Sequence, residues 1–147
     1  MPDKKTVERA RKDAREGKAP STQAGEFVRE EMDHIREGKH GARSAKQAIA
    51  IGLSKARRAG VALPPPKAGQ ASARTRKQAE RDASRGRAAT SAPRSRKRSL
   101  AASRALKKEG HSAASHQALA KQARSAARKR SPAARSQQAK RAARSRR

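Results

Sequence analysis

The chain has 147 residues, of which 40 are Lys or Arg and 12 are Asp or Glu, so its net charge is +28. It contains no Cys, which excludes a disulfide framework, a cysteine-ligated zinc site and thiol catalysis. Large apolar residues are few and mostly precede position 64, so the chain can bury one small core at most, and most of the remainder is expected to be disordered when alone.

The charge is unevenly distributed along the chain. Residues 1–63 carry 15 Lys/Arg and 9 Asp/Glu, a net +6, whereas residues 64–147 carry 25 and 3, a net +22. No acidic residue follows Glu109. A block of one sign repels itself, stays solvated and favours a polyanionic partner.

The first predicted element is a short exposed helix within residues 1–20. Val7, Ala10 and Ala14 form a thin apolar stripe at helical spacing, and Gly17 is a stop signal. We expect this segment to be an appendage and a link rather than part of the core.

A helical hairpin is predicted next, within a domain spanning residues 21–63. Its first helix follows Pro20, with Ser21 or Thr22 as a cap, and ends before Gly38. An apolar stripe occupies one face. The opposite face carries acidic residues that we expect to be exposed: Glu26, Glu30, Asp33 and Glu37.

The second helix of the hairpin has clearer ends. Ser44 and Gln47 form a capping box, and Gly60 follows the helix in the position that favours glycine. Ala45, Gly52 and Ala56 on its apolar stripe would allow a partner helix to approach closely. The predicted hairpin core consists of Phe27, Val28, Met32, Ile35, Ile49 and Leu53.

Ile51 lies away from this stripe on the helical wheel. A single exposed Ile is usually without significance, but here it is also a candidate contact with a partner. Because the core is small relative to the entropy of ordering the hairpin, we expect either homodimerisation through the hairpin or ordering on another molecule.

The chain after the hairpin divides into a proline-rich linker, residues 64–72, and a low-complexity basic tail, residues 73–147. Pro64, Pro65 and Pro66 cannot continue a helix. The fold class is therefore mostly α, with a largely disordered tail in which residues 96–109 and 115–130 form transient helix once their charges are neutralised. Residues 109–127 loosely resemble 37–59, which indicates either a degenerate repeat or shared composition.

No catalytic constellation is evident, so the chain is predicted not to be an enzyme and to need no cofactor or small-molecule substrate. His111 and His116 lack the second acceptor that orients a ligating His, and no metal site is predicted. The glycine-flanked connection at 37–44 is either an ordinary link or, with Lys39 and Arg43 near a helix start, a phosphate site.

The basic residues are predicted to bind nucleic acid by neutralising phosphates. Lys/Arg separated by Ala and Ser suit a duplex backbone, and Phe27 is the single aromatic residue, so stacking on unpaired bases is not expected. The candidate binding residues are Lys39, Arg43, Lys46, Lys55, Arg57, Arg58, Arg94, Arg96, Lys97, Arg98, Arg124, Arg128, Lys129, Arg130, Arg135, Lys140, Arg141, Arg144, Arg146 and Arg147.

The stretch "SAKQAIAIGLSKARRAG", residues 44–60, resembles the core of a family of small, basic bacterial proteins of unknown function. The preceding "EFVREEMDHIREGKHGAR" is similar to a longer branch of that family. The resemblance implies a bacterial source and no particular activity. The tail resembles linker-histone tails and bacterial histone-like proteins in composition.

Together these features predict a cytoplasmic, nucleoid-associated protein that binds duplex DNA without sequence preference. No secretory signal or membrane-spanning run is visible. Two alternatives remain open. One is an RNA- or ribosome-associated basic protein, and the other is an adaptor whose hairpin binds a protein partner.

Overall fold

The computed structural model describes residues 1–88 and 95–144, which are mostly helical. The helices of these residues are α1 (Lys4–Arg15), α2 (Pro20–Arg36), α3 (Ala45–Arg58), α4 (Ala73–Arg87), α5 (Arg96–Lys107), α6 (His116–Arg128) and α7 (Pro132–Arg144), with a 3₁₀ turn at Ser112–Ala114 before α6.

The helix ends follow the sequence signals closely. Gly38 and Gly60 adopt left-handed backbone with φ of 74° and 94°, which a residue without a Cβ tolerates best. Ser44 Oγ accepts a hydrogen bond from Gln47 N at 3.2 Å, and Gln47 Oε1 accepts one from Arg43 N at 2.8 Å. The predicted cap is confirmed, although the glutamine reaches back to residue 43 rather than 44. Helix α2 begins at Pro20 itself, without a side-chain cap.

The hairpin formed by α2 and α3 is the centre of the molecule. Gly52 allows its closest approach, since a Cβ there would lie 2.7 Å from Val28 Cα. Phe27 and Ile35 are fully buried and Met32 nearly so, whereas the other predicted core residues are half-buried. Phe27 and Ile35 belong to two separate apolar clusters along the hairpin.

Helix α1 completes the first cluster and is not the exposed appendage that the sequence predicted. Thr6 and Ala10 are buried against α2, and Val7 packs with Leu53, Val61 and Leu63 around Phe27. The short side chains of Thr6 and Ala10 allow α1 to pack closely on α2. The narrow apolar stripe of α1 did not predict this packing.

The chain after the triple proline returns to the hairpin. Helix α4 packs against α3, where Gly86 lies so close to the end of α3 that a Cβ would be 2.0 Å from the Arg57 carbonyl oxygen. Ala79 and Asp82 of α4 are buried. The division of the chain at 64–72 stays a prediction, but the first helix of the predicted tail contacts the predicted domain.

The chain returns to the hairpin a second time, and this later segment covers the apolar cluster around Ile35. Ala113 and Ala114 of the 3₁₀ turn are buried with Ile35, and Leu119 of α6 packs beside them. The predicted helical stretches at 96–109 and 115–130 coincide with α5 and α6. Helices α5 and α7 bury no residue, so side-chain packing contributes little to their stability.

The two segments of similar sequence meet in space. Gly41 N donates to Leu106 O at 2.9 Å, and Ala42 N donates to Gly110 O at 3.0 Å. Each segment then leads into a helix capped by a serine, Ser44 for α3 and Ser115 for α6. The likeness of the two segments thus extends from sequence to local structure.

Candidate nucleic-acid interface

Three of the basic residues predicted on α3 make contacts within the protein instead of facing solvent. Lys55 Nζ lies 2.7 Å from Glu31 Oε2 and 3.3 Å from Glu30 Oε1. Arg57 is buried and donates to the carbonyl oxygens of Leu63 and Pro64. Burial lowers the pKa of its guanidinium, although arginine stays charged at neutral pH. These residues stabilise the bundle.

Arg58 is also engaged within the bundle. Its Nε donates to Ser54 O at 3.2 Å and lies 3.8 Å from Asp82 Oδ1 of α4. Of the α2 carboxylates predicted to be exposed, Glu37 is exposed and Glu26 and Asp33 are half-buried, but Glu30 is buried, with 4% exposure. A helical wheel shows which residues share a face, but it does not show which neighbouring helix covers that face.

A groove with three cations lies where α6 meets the start of α3. Arg43 and Lys46, both predicted, line this α3–α6 groove together with Lys121, which was not predicted. Ser44, Ser112 and Ser125 also line it, and its volume is about 340 Å³. Cations and hydroxyl donors around a concave surface are the groups that bind a phosphate backbone.

Helix α6 has an apolar side and a basic side. Leu119 and its neighbours pack on the bundle, whereas Lys121, Arg124 and Arg128 share the opposite face and are exposed. Their i, i+3, i+7 spacing places them in one row of about 10 Å. The α6 row therefore continues from the groove along the outside of the molecule.

A second basic row lies on α4 and was missed by the sequence analysis. Arg74, Lys77, Arg81 and Arg85 are exposed, and their i, i+3, i+7, i+11 spacing aligns them along α4 beside the face that buries Ala79 and Asp82. The row becomes visible only when the buried face of α4 is known, because cations also occur elsewhere around this helix.

The remaining predicted residues are exposed wherever the structure describes them. Arg94, Arg146 and Arg147 lie outside the described residues. The exposed ones are Arg96, Lys97, Arg98, Lys129, Arg130, Arg135, Lys140, Arg141 and Arg144. Within residues 95–144 the acidic residue is Glu109, and no ion pair is described for a basic side chain of that segment. This charge is therefore not neutralised internally.

The contacts of the 37–44 connection do not favour the phosphate site that the sequence suggested there. The amides of Gly41 and Ala42 are bonded to residues 106 and 110. Lys39 Nζ lies 2.9 Å from Glu37 Oε2, and this contact lowers the pKa of the Glu37 carboxyl and raises that of Lys39. These contacts are typical of an ordinary link between helices.

Metal-ligand spacing does occur, but not at His111 and His116. Among the described residues, Glu31, His34 and His40 bring one ligand atom each within 4.8 Å of one another, and Asp3, Glu30 and His34 do the same. A sequence signal existed in the i, i+3 spacing of Glu31 and His34, which places both on one face of α2.

The fold and the surface define a small helical bundle with basic helices attached to it. Residues 3–68 match the model of a family of unknown function, DUF6496. The resemblance seen in residues 44–60 is thereby confirmed. No curated protein and no solved structure matches the chain. Within the described ranges, every helix is too short or too polar to cross a membrane.

Proposed function

We propose that this protein binds duplex DNA without sequence preference and acts as a histone-like component of the nucleoid. The observation that carries the proposal is the pair of exposed basic rows on α4 and α6, of which the α6 row adjoins the α3–α6 groove through Lys121. Helices α5 and α7 add further exposed cations. Affinity would come from the release of counterions as phosphates are neutralised.

Two features favour duplex over single-stranded nucleic acid and backbone over base recognition. Phe27 is fully buried and the chain has no Tyr or Trp, so no Phe, Tyr or Trp ring is available on which unpaired bases could stack. The side-chain oxygen of Gln47, the residue on α3 best suited to a base edge, accepts a hydrogen bond from Arg43 N.

The unpacked helices have a defined part in this proposal. Helices α5 and α7 bury no residue, and isolated helices of 12 or 13 residues are marginal in water. We expect them to be partly helical in the unbound protein and to gain helix when DNA neutralises their charge. Circular dichroism of the protein with and without duplex DNA measures this gain.

The salt dependence of DNA binding tests the proposed surface. For the variant with Lys121→Gln, Arg124→Gln and Arg128→Gln, we expect the slope of log K against log salt to become shallower by about 2.7, since each phosphate contact contributes about 0.9. The matched control, Lys5→Gln, Arg11→Gln and Arg15→Gln, removes the same charge from exposed positions on α1. Equal slope changes in both variants would exclude a binding role for the α6 row.

Competition between nucleic acids tests the class of partner. Duplex DNA should displace a labelled duplex at a lower concentration than structured RNA does, at every salt concentration used. Stronger competition by RNA would assign the same basic surface to an RNA- or ribosome-associated protein. If neither duplex DNA nor RNA binds at low salt, the adaptor whose hairpin binds a protein partner is the alternative that remains.

A further inference from the structure

A buried cluster of ligand atoms lies between α2 and the connection that follows it, among residues that DNA binding does not use. Glu31 is 0% exposed, and the side chains of His34 and His40 are 14% and 17% exposed. The two rings meet edge to face with centroids 6.1 Å apart. One ligand atom from each of the three residues lies within 4.8 Å of the others.

The orientation of His40 leaves one ring nitrogen directed at the carboxylate. His40 Nδ1 is 3.1 Å from the Gly41 carbonyl oxygen, which can only accept, so Nδ1 carries the proton. In a neutral ring, Nε2 then presents a lone pair, and it lies 3.1 Å from Glu31 Oε1. A lone pair facing a carboxylate oxygen is repulsive unless a cation lies between them.

The charges around Glu31 do not balance without such a cation. Glu30 and Glu31 are both buried and share Lys55 as their ammonium partner, which contacts Glu31 through Oε2. Glu30 also accepts a hydrogen bond from Asp3 N. Neither oxygen of Glu31 receives a well-aligned hydrogen bond from the described residues. A buried carboxylate whose charge is not compensated lowers the stability of the folded state.

We propose that Glu31, His34 and His40 bind a divalent transition-metal ion, with Zn²⁺ as the best fit. Two ligands at about 2.05 Å from a tetrahedral zinc lie roughly 3.3 Å apart, close to the observed distance between His40 Nε2 and Glu31 Oε1. The Gly41 carbonyl supplies the second contact that orients a ligating His. Glu31 Oε1 faces the ion, and Oε2 stays with Lys55.

The group around Asp3 is the weaker candidate for the same ion. Its Asp3 side chain is 61% exposed, and both oxygens of Glu30 already have donors. An ion held by Glu31, His34 and His40 would instead attach the 37–44 connection to α2. Three protein ligands leave a fourth position for water, and the expected role is to stabilise the bundle.

Zinc titration of the chelator-treated full-length protein tests the proposal. We expect one Zn²⁺ per chain by calorimetry and a rise in melting temperature of about 5 °C at saturation. Co²⁺ in place of Zn²⁺ should give the visible absorption of a four-coordinate site. His40→Ala and Glu31→Gln should each weaken binding by at least about tenfold, whereas His116→Ala, which removes an exposed imidazole, should leave it unchanged.

The alternative occupant of the contact is a proton on His40 Nε2. Nitrogen NMR of His40 distinguishes the two without any substitution, because a metal-bound ring keeps one N–H and a protonated ring has two. A His40 ring with two N–H groups at saturating Zn²⁺ would overturn the proposal. So would zinc binding that is lost in His116→Ala and retained in both cluster variants.

Discussion

Glycines at two positions in the hairpin helices have opposite roles, although both are helical. A Cβ at Gly52 would lie 2.7 Å from the backbone Cα of Val28, whereas nothing lies within 4 Å of a Cβ at Gly25. The absence of a side chain at position 52 therefore sets the distance between α2 and α3. At position 25 it only lowers helix propensity.

Gly52→Ala is expected to lower the free energy of unfolding by about 1–3 kcal/mol, because the two helices must separate to admit the methyl group. Gly25→Ala should raise it by up to about 1 kcal/mol, because alanine is the better helix former. Urea unfolding followed by circular dichroism measures both. A stabilising Gly52→Ala would show that α2 and α3 do not approach as closely as described.

Charged residues also divide into two groups that composition does not separate. Lys55 contacts buried carboxylates and Arg57 donates to carbonyl oxygens. Lys46, nine residues before Lys55 on the same helix, is exposed and lines the α3–α6 groove. All three were predicted from sequence to face a nucleic acid. The sequence places them on one helix, but burial depends on α2 and on the chain after residue 60.

Helix α4 is joined to α3 through one buried carboxylate. Asp82 is 1% exposed, accepts from Ser54 Oγ at 2.6 Å and from Gln78 Nε2 at 3.2 Å, and lies near Arg58. Ile51, the candidate partner contact, is half-buried one turn before Ser54 on α3. The face that suggested an external partner is thus used at least in part by α4.

Asp82→Ala should destabilise the docking of α4 by about 2–3 kcal/mol, because it removes the charged acceptor of the half-buried Ser54 hydroxyl and the ionic partner of Arg58. Hydrogen exchange of the α4 amides is the direct measurement, and protection there should fall more than in α2. The control is Glu80→Ala, an exposed acidic residue of the same helix, with an expected change within about 0.5 kcal/mol. Equal loss of protection in the two variants would contradict the role of Asp82.

At the scale of the whole molecule, the core is closed by segments that are distant in sequence. Helix α1 and residues 61–63 cover the cluster around Phe27, and residues 113, 114 and 119 cover the cluster around Ile35. The apolar stripes that favoured a homodimer are therefore covered within one chain. Homodimerisation through the hairpin stays a prediction, which sedimentation of the full-length protein tests.

Truncation tests whether the chain is a domain with a tail or one extended bundle. Stability should increase in the order 1–68, 1–88, 1–128, because the second fragment adds α4 and the third adds Ala113, Ala114 and Leu119 to the core. Burial of the last group contributes about 1–2 kcal/mol. Thermal unfolding of the three fragments measures this order. Equal stability of 1–68 and the full chain would support the boundary at 64–72.

The sequence by itself determined two kinds of property: local ones, such as where a helix begins and ends, and global ones, which depend on the composition of the whole chain. It did not determine the contacts between distant segments. Caps, glycine stops and apolar periodicity predicted α2 and α3 to within a residue or two, because these signals act within one helical turn. Net charge depends on composition alone, and the polyanionic partner that it predicts stays a prediction. The family resemblance likewise needed no structure.

The tertiary structure decided which side chains meet. Residues 31 and 40 come together only because the chain turns at Gly38, and residues 54 and 82 only because the chain returns after the prolines. Whether a charged residue stabilises the bundle or faces a partner depends on such contacts. No periodicity within a single helix specifies them, since the energy that selects them arises between segments far apart in the chain.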